Sequence, residues 1–139
     1  MTTAPVVVLD TNVVVAAQLS PYGAPGRIWD LVNARQLRLA YDDRILMEYA
    51  AVLARPKFKF PASKVSYVLS VFSFQERVGA ATPWPIQPLP DPDDAMFLEV
   101  AAASSRLLIS GNLRHYPEAF RGTVRVISPA DWLGGYFER

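Results

Sequence analysis

The feature of this sequence that most constrains its fold is a short apolar run that ends directly in polar residues. Residues 6–9 (VVVL) are mostly β-branched and are followed by Asp10, Thr11 and Asn12. A short apolar run without alternation is typical of a strand that is buried on both faces of a parallel sheet. The sequence therefore predicts a first strand that delivers Asp10 to the carboxyl end of the sheet.

The rest of the sequence alternates helix-like and strand-like segments, with a proline-rich loop predicted at residues 82–92. Helical patterns cover residues 24–35, 42–55, 61–74 and 91–104 and begin again at residue 128, while strand patterns cover residues 36–40, 77–81, 106–110 and 123–127. This alternation predicts an α/β fold, a three-layer α/β/α domain with a central parallel sheet of about five strands. Such sheets bind ligands beyond the carboxyl ends of their strands, so polar residues there are candidate site residues.

Length and composition limit the class of protein. The chain of 139 residues is 51% hydrophobic, which predicts one packed domain over residues 1–139. No apolar run approaches the roughly 20 residues that cross a bilayer, and residues 1–5 lack the features of a signal peptide, so we expect a cytoplasmic protein. Cysteine is absent, so a metal would be bound by oxygen ligands or by His115. The net charge of +1 indicates no general attraction to a polyanion.

Two carboxylates in the first half of the chain are candidate site residues. Asp10 is predicted to emerge at the carboxyl edge of the sheet, although a turn residue that caps the next helix would fit the same pattern. Glu48 is the only charged residue between Ile45 and Ala54. Because that helix is apolar on almost every side, we expect it to be packed on several sides, where an ionised carboxylate needs a partner or a metal. The alternative is an exposed Glu48 that pairs with Arg44.

A third candidate carboxylate, Asp94, lies in the second half of the chain. It precedes Phe97 by three residues and Ala101 by seven, so helical spacing places it at the first turn, on the face that packs on the sheet. Asp94 is therefore predicted to point toward the carboxyl edge of the sheet. Asp93 and Glu99 are rotated off this face, and we interpret Asp93 as a capping residue and Glu99 as a solvent-facing one.

Small and polar residues also end the fourth predicted strand, at Ser110, Gly111 and Asn112. By themselves these residues fit a simple glycine turn. Together with the three carboxylates they predict an oxygen-rich cavity, where clustered negative charge favours Mg²⁺ or Mn²⁺. A metal there would activate water for hydrolysis of a phosphodiester, a chemistry that needs no serine–histidine or cysteine–histidine pair. A carboxylate site does not need His115, to which we assign a structural or phosphate-contact role.

With these residues in place, the chain resembles the PIN-domain family, and within it the VapC-like toxins of toxin–antitoxin systems. The matching segments are residues 8–13 (VLDTNV), 45–49 (ILMEY), 55–58 (RPKF), 91–94 (DPDD), 97–98 (FL), 110–115 (SGNLRH) and 126–129 (VISP). They run in the family's order across nearly the whole chain. Their order and spacing together are more specific than any one of them.

The resemblance implies a metal-dependent endoribonuclease that uses Mg²⁺ or Mn²⁺, with Asp10, Glu48 and Asp94 at the metal-ligand positions. The residues that it places beside them are Thr11, Asn12 and Ser110. It also implies a homodimer and inhibition by a small antitoxin protein. Many PIN nucleases carry an aspartate where this chain has Asn112, which keeps an oxygen ligand but loses a charge. We expect this difference to weaken a second metal more than the first.

Other interpretations fit the residues less well. A haloacid-dehalogenase-like phosphatase needs a second aspartate two residues after Asp10, where this chain has Asn12, and a receiver domain needs a lysine after a late strand, whereas the last lysine is Lys64. The main alternative is a PIN-like module that binds RNA or an antitoxin without cutting, its site weakened by Asn112. Carboxylates too far apart to share a metal would favour this alternative.

One segment suggests a contact with substrate. Arg55, Lys57 and Lys59 alternate with Phe58 and Phe60, a pattern that can bind phosphates and stack on bases. The simpler interpretation, which we favour from the sequence, is the end of a helix. The sequence does not identify the RNA that is cut, nor whether DNA is tolerated.

Overall fold

A computed structural model describes residues 4–79, 81–85 and 89–137. In these ranges the chain forms strands β1 (Val6–Leu9), β2 (Arg38–Tyr41), β3 (Glu76–Arg77), β4 (Leu107–Ile109) and β5 (Arg125–Ile127). They make one parallel sheet in the order β3-β2-β1-β4-β5. The predicted α/β fold with a parallel sheet of five strands is confirmed.

The described residues form six α-helices, and none of them is long and apolar enough to cross a membrane. They are α1 (Thr11–Leu19), α2 (Ala24–Asn33), α3 (Asp43–Leu53), α4 (Ala62–Val71), α5 (Ala95–Ala102) and α6 (Pro129–Phe137). Helix α1 lies before the first helix predicted from the sequence. Its three consecutive valines have a low helix propensity, but all three are buried in the core, and this packing overrides the local preference.

Strand β3, at one edge of the sheet, is shorter than the strand predicted there from the sequence. Residues 77–81 were expected to form a weak strand, whereas β3 spans two residues and pairs with the end of β2. Position 80 of that predicted strand and positions 86–88 of the predicted loop lie outside the described residues. The central strands β1, β2 and β4 agree with the prediction to within one or two residues at each end.

Helix α3, which carries Glu48, packs against α1, α4 and α5 and is exposed along one stripe. Ile45, Tyr49 and Leu53 face the core at a spacing of four residues, while Met47 is 72% exposed. The prediction that this helix packs on several sides agrees with its contacts to three helices, although the stripe that includes Met47 is exposed. The predicted N-cap is present, since Asp42 accepts a hydrogen bond from the backbone N–H of Ile45 (3.0 Å).

Candidate active site

A cavity of about 370 Å³ lies at the carboxyl end of β1. Asp10 follows the last residue of this strand, and its backbone N–H donates to the carbonyl of Ile109 at the end of β4 (2.9 Å). Three carboxylates from different elements, Asp10, Glu48 and Asp94, line the cavity together. Its other lining residues are Thr11, Asn12, Val15, Ala16, Leu19, Val52, Arg55, Phe58 and His115.

Asp10 is the most deeply buried of these carboxylates, with 4% of the residue exposed. Its Oδ2 accepts hydrogen bonds from the hydroxyl of Ser110 (2.8 Å) and the hydroxyl of Tyr116 (2.9 Å). Burial raises the pKa of Asp10, and these two hydrogen bonds offset part of that rise. Ser110 and Tyr116 therefore favour the ionised form of Asp10 and fix the orientation of its carboxylate.

Glu48 projects from α3 and is half-buried. One of its carboxylate oxygens accepts a hydrogen bond from the hydroxyl of Thr11, at the first residue of α1. Arg44, the alternative partner considered from the sequence, instead forms ion pairs with Asp42 and Glu99, each at 2.7 Å. Glu48 is thus held toward the end of β1 by a neutral donor and is not paired with Arg44.

Asp94 is a buried carboxylate whose charge has little compensation. It ends a short 3₁₀ turn (Pro92–Asp94) that leads into α5, and it is 8% exposed. His115 Nδ1 lies 3.0 Å from its Oδ2, but not in hydrogen-bonding geometry, and no group among the described residues donates a hydrogen bond to that oxygen. Burial raises the pKa of Asp94 to about 7; the charges of Asp10 and Asp91 act in the same direction, and His115 acts in the opposite direction.

The predicted binding residues at the end of β4 form hydrogen bonds next to the cavity. The side-chain oxygen of Asn12 accepts a hydrogen bond from the backbone N–H of Gly111 (2.9 Å), and a Cβ at position 111 would approach that oxygen to 3.1 Å. The backbone N–H of Asn112 donates to the hydroxyl of Ser110 (3.0 Å). Ser110 and Asn112 lie outside the set of lining residues, so Ser110 acts on the cavity through Asp10.

Two tyrosines that were not predicted from the sequence also belong to the site. Tyr116 is fully buried against Asp10, and burial raises its pKa, so its hydroxyl remains a donor. Tyr49 donates a hydrogen bond to the backbone carbonyl of Leu9 and so ties α3 to the end of β1. The only sequence signal for either tyrosine is its position beside Glu48 or His115.

Glu99 is buried, so its predicted solvent-facing position is wrong. It is 8% exposed; its Oε1 accepts a hydrogen bond from Arg44 Nη1 (2.7 Å) and its Oε2 accepts one from the backbone N–H of Trp84 (2.8 Å). Helical spacing correctly turns Glu99 away from the sheet. However, Arg44 at the start of α3 and the segment around Trp84 cover that side of α5.

The comparison with known families decides which family this fold and cavity represent. The family model of the PIN domain matches residues 6–114, which is well over half of the 139 residues. The chain belongs to the PIN-domain family. This PIN domain is also similar to an uncharacterized protein of Methanocaldococcus jannaschii, with 29% identity over 112 residues, or 76% of this chain and 70% of that protein. No solved structure is significantly similar to it.

The donor set of this PIN domain fits a hard divalent cation, although its side chains are spread apart. Among the described residues, no three aspartate, glutamate or histidine side chains lie close enough together to hold one ion. The oxygen of Asp94 that lacks a hydrogen-bond donor, and the carboxylate and hydroxyl oxygens near Asp10, are the ligands that Mg²⁺ and Mn²⁺ prefer.

Proposed function

We propose that this PIN domain is an Mg²⁺- or Mn²⁺-dependent endoribonuclease that hydrolyses phosphodiester bonds of RNA. The observation that carries the proposal is the buried carboxylate of Asp94 beside Asp10, one oxygen of which accepts no hydrogen bond, in a cavity that Glu48 also lines. A buried carboxylate without donors is costly until a cation binds to it. Perturbed carboxylates at the carboxyl edge of a parallel sheet are typical of an active site.

In this proposal the chain's own residues hold and orient the reacting groups. Asp10, Glu48 and Asp94 are the metal ligands, while Tyr116 orients Asp10 and Thr11 orients Glu48. A bound divalent cation supplies a nucleophilic water at neutral pH and neutralises charge that develops on the phosphate. Hydrolysis adds one water across one P–O bond, so one product ends in a phosphate and the other in a hydroxyl group.

The test is cleavage of labelled structured RNAs by the purified protein in Mg²⁺, in Mn²⁺ or in EDTA. Asp94→Asn is the test variant, and Asp93→Asn, at the exposed neighbouring position, is the matched control. We expect metal-dependent cleavage by the wild-type protein and by Asp93→Asn, and none by Asp94→Asn. Cleavage that survives both EDTA and Asp94→Asn would indicate a contaminating nuclease and would remove the support for the proposal.

We further propose that this nuclease acts in the cytoplasm as the toxin of a toxin–antitoxin pair, as a homodimer that a small antitoxin protein inhibits. The support is the resemblance of its motifs to VapC-like toxins. Induced expression of the wild-type protein should arrest growth of a bacterial host, and Asp94→Asn should not. Equal arrest by both proteins, or by neither, would count against the toxin role. Sedimentation of the purified protein tests the dimer separately.

One observation favours a second candidate function, a PIN-like module that binds RNA or an antitoxin without cutting. The carboxylates are too far apart, as their side chains lie, for three of them to hold one ion, and position 112 carries no charge. The two candidates differ in their response to metal. RNA binding that is unaffected by Mg²⁺, together with no cleavage in either metal, would select the non-catalytic module.

A further inference from the structure

A cleft between helices α1 and α3 leads away from the carboxylates. We define the α1–α3 cleft by six of the cavity-lining residues, which are Val15, Ala16, Leu19, Val52, Arg55 and Phe58. On the α3 side, Glu48 and Val52 are four residues apart and lie on one stripe of the helix, and Arg55 follows the end of the helix. The backbone of Arg55 is extended and leads into a short 3₁₀ turn (Pro56–Phe58), so Arg55 and Phe58 lie beyond the C-terminal end of α3.

The walls of the α1–α3 cleft are apolar and partly fixed in position. Leu19 is 52% exposed, although it is a large apolar residue. The ring of Phe58 stacks on that of Phe60 (5.8 Å between centroids, 20° between planes), and the Lys57 ammonium lies 5.0 Å from the Phe58 centroid. These contacts hold the Phe58 ring where it lines the cleft. Apolar walls with a few polar groups at their ends are typical of a ligand site.

Arg55 is an exposed cation that remains available to a ligand. Within the described ranges, its guanidinium has no ion pair and no hydrogen bond, although three carboxylates line the same cavity. By contrast, Arg44 in the first turn of α3 is paired with a carboxylate at 2.7 Å, and Arg77 of β3 is paired at 2.6 Å with Asp43, the first residue of α3. A guanidinium at the rim of a concave site is well suited to bind a phosphate.

We propose, on the basis of the proposed nuclease function, that the α1–α3 cleft binds one unpaired nucleotide next to the bond that is cut. The base contacts Leu19, Val52 and Phe58, and Arg55 binds a phosphate farther along the strand. A base inside a duplex is stacked and paired and does not present its faces to side chains, so the cleft selects a single-stranded or unpaired segment. Residues 55–60 are then both a helix end, as favoured from the sequence, and a substrate contact.

The experiment measures RNA affinity in EDTA, where cleavage does not interfere. The probe is a fluorescein-labelled single-stranded oligoribonucleotide, and its anisotropy is followed as protein is added at several salt concentrations. Arg55→Gln and Phe58→Leu are the test variants. Their matched controls are Lys64→Gln, on α4, and Phe74→Leu, a 73% exposed aromatic residue that lines a different cavity. Thermal unfolding of each variant checks that it is folded.

We expect Arg55→Gln to weaken binding about tenfold at low salt. It should also make the salt dependence weaker: the negative slope of the logarithm of the association constant against log[salt] should become shallower by about 0.7, the value for one phosphate contact on a single strand. Phe58→Leu should weaken binding about fivefold without changing the slope. On a strand of the same length that lacks its bases, Phe58→Leu should have no effect and Arg55→Gln should keep its effect. Both controls should bind as the wild type does.

Several outcomes would overturn the assignment. One is that the protein does not bind single-stranded RNA in EDTA, and another is that it binds a duplex of the same sequence equally well. The others are that both test variants keep wild-type RNA affinity, or that the controls lose as much RNA affinity as the test variants do. The nuclease proposal fails by a different result. If the wild-type protein never cleaves RNA but Arg55→Gln and Phe58→Leu still lose RNA affinity, the cleft is supported as an RNA-binding site and the nuclease activity is excluded. Normal cleavage by Arg55→Gln and Phe58→Leu at low RNA concentration would exclude the cleft and leave the enzyme.

Discussion

Asp94, which precedes α5, and Glu99, in the middle of α5, are five residues apart and each only 8% exposed, yet their surroundings differ. Glu99 accepts hydrogen bonds from Arg44 and from the backbone N–H of Trp84. Asp94 has one oxygen without a donor, and its pKa is raised to about 7. Burial alone therefore does not separate a structural carboxylate from a candidate metal ligand; the donors around it do.

The difference has a physical basis. Glu99 forms two charge-assisted hydrogen bonds, so its charge is compensated inside the protein, and the groups that compensate it join α5 to α3 and to the segment around Trp84. Asp94 is placed near Asp10 and Asp91, whose charges add to the cost of ionising it. A site that has to bind a cation gains affinity from such uncompensated charge, at a cost to the stability of the metal-free protein.

The largest expected difference between the two carboxylates is in catalysis. Asp94→Asn should lower the rate of metal-dependent RNA cleavage at saturating RNA at least about 100-fold, because it removes a metal ligand. Glu99→Gln should lower it by less than about tenfold, because Glu99 supports the helix and does not line the carboxylate cavity. Single-turnover cleavage assays measure both. An equal loss in the two variants would break the distinction.

The second prediction concerns stability as a function of pH without metal. The carboxyl group of Asp94 has a pKa of about 7 in the folded protein and near 3.8 when unfolded. Between about pH 4 and pH 7 the carboxyl group of Asp94 is therefore protonated more in the folded state than in the unfolded state. The stability that this proton contributes is fully present below about pH 4 and is lost as the pH rises toward 7. The unfolding free energy of Asp94→Asn relative to wild type should thus increase by on the order of 2 kcal/mol between pH 4 and pH 8.

Urea unfolding of both proteins in EDTA at a series of pH values measures this difference. A difference that stays constant with pH would show that the charge of Asp94 is compensated in the metal-free fold.

Metal binding should separate the same two carboxylates in thermal unfolding. Mg²⁺ in large excess should raise the melting temperature of the wild-type protein and of Glu99→Gln by a few degrees, since a ligand that binds only the folded state stabilises it. Asp94→Asn should show little or no shift. Calorimetric scans with Mg²⁺ and with EDTA measure the effect, and an equal shift in all three proteins would place the cation elsewhere.

The smallest expected effect is the loss of the hydrogen bonds to Glu99. Glutamine at this position can accept through only one side-chain oxygen, so one of the two donors is left without its partner. Glu99→Gln should therefore lower the unfolding free energy at pH 7 by about 1 kcal/mol. Chemical denaturation in EDTA measures this change. If Glu99→Gln were more stable than the wild-type protein, the contrast between a compensated Glu99 and an incompletely compensated Asp94 would be contradicted.

Patterns along the sequence were sufficient for the fold class and for placing Asp10 and Asp94 at the carboxyl edge of the sheet. Buried strands are continuous apolar runs, and helical spacing relates Asp94 to the face that packs on the sheet, so these features depend on neighbours within one element. The same patterns did not predict α1, because packing of its valines overrides their low helix propensity. They also did not predict that Glu99 is buried, because Arg44 and the segment around Trp84 cover it from outside α5.

The sequence by itself determined the alternation of strands and helices, the family motifs and the delivery of acidic residues to one edge of the sheet. Only the tertiary structure decided which donors reach each carboxylate. Tyr116 and Ser110 contact Asp10 from 106 and 100 residues away, and Arg44 reaches Glu99 across 55 residues. Periodicity gives the face of an element on which a residue lies. A partner that comes from another element is fixed by how the elements pack, and so the donors around Asp10 and Glu99 could be identified only in the folded chain.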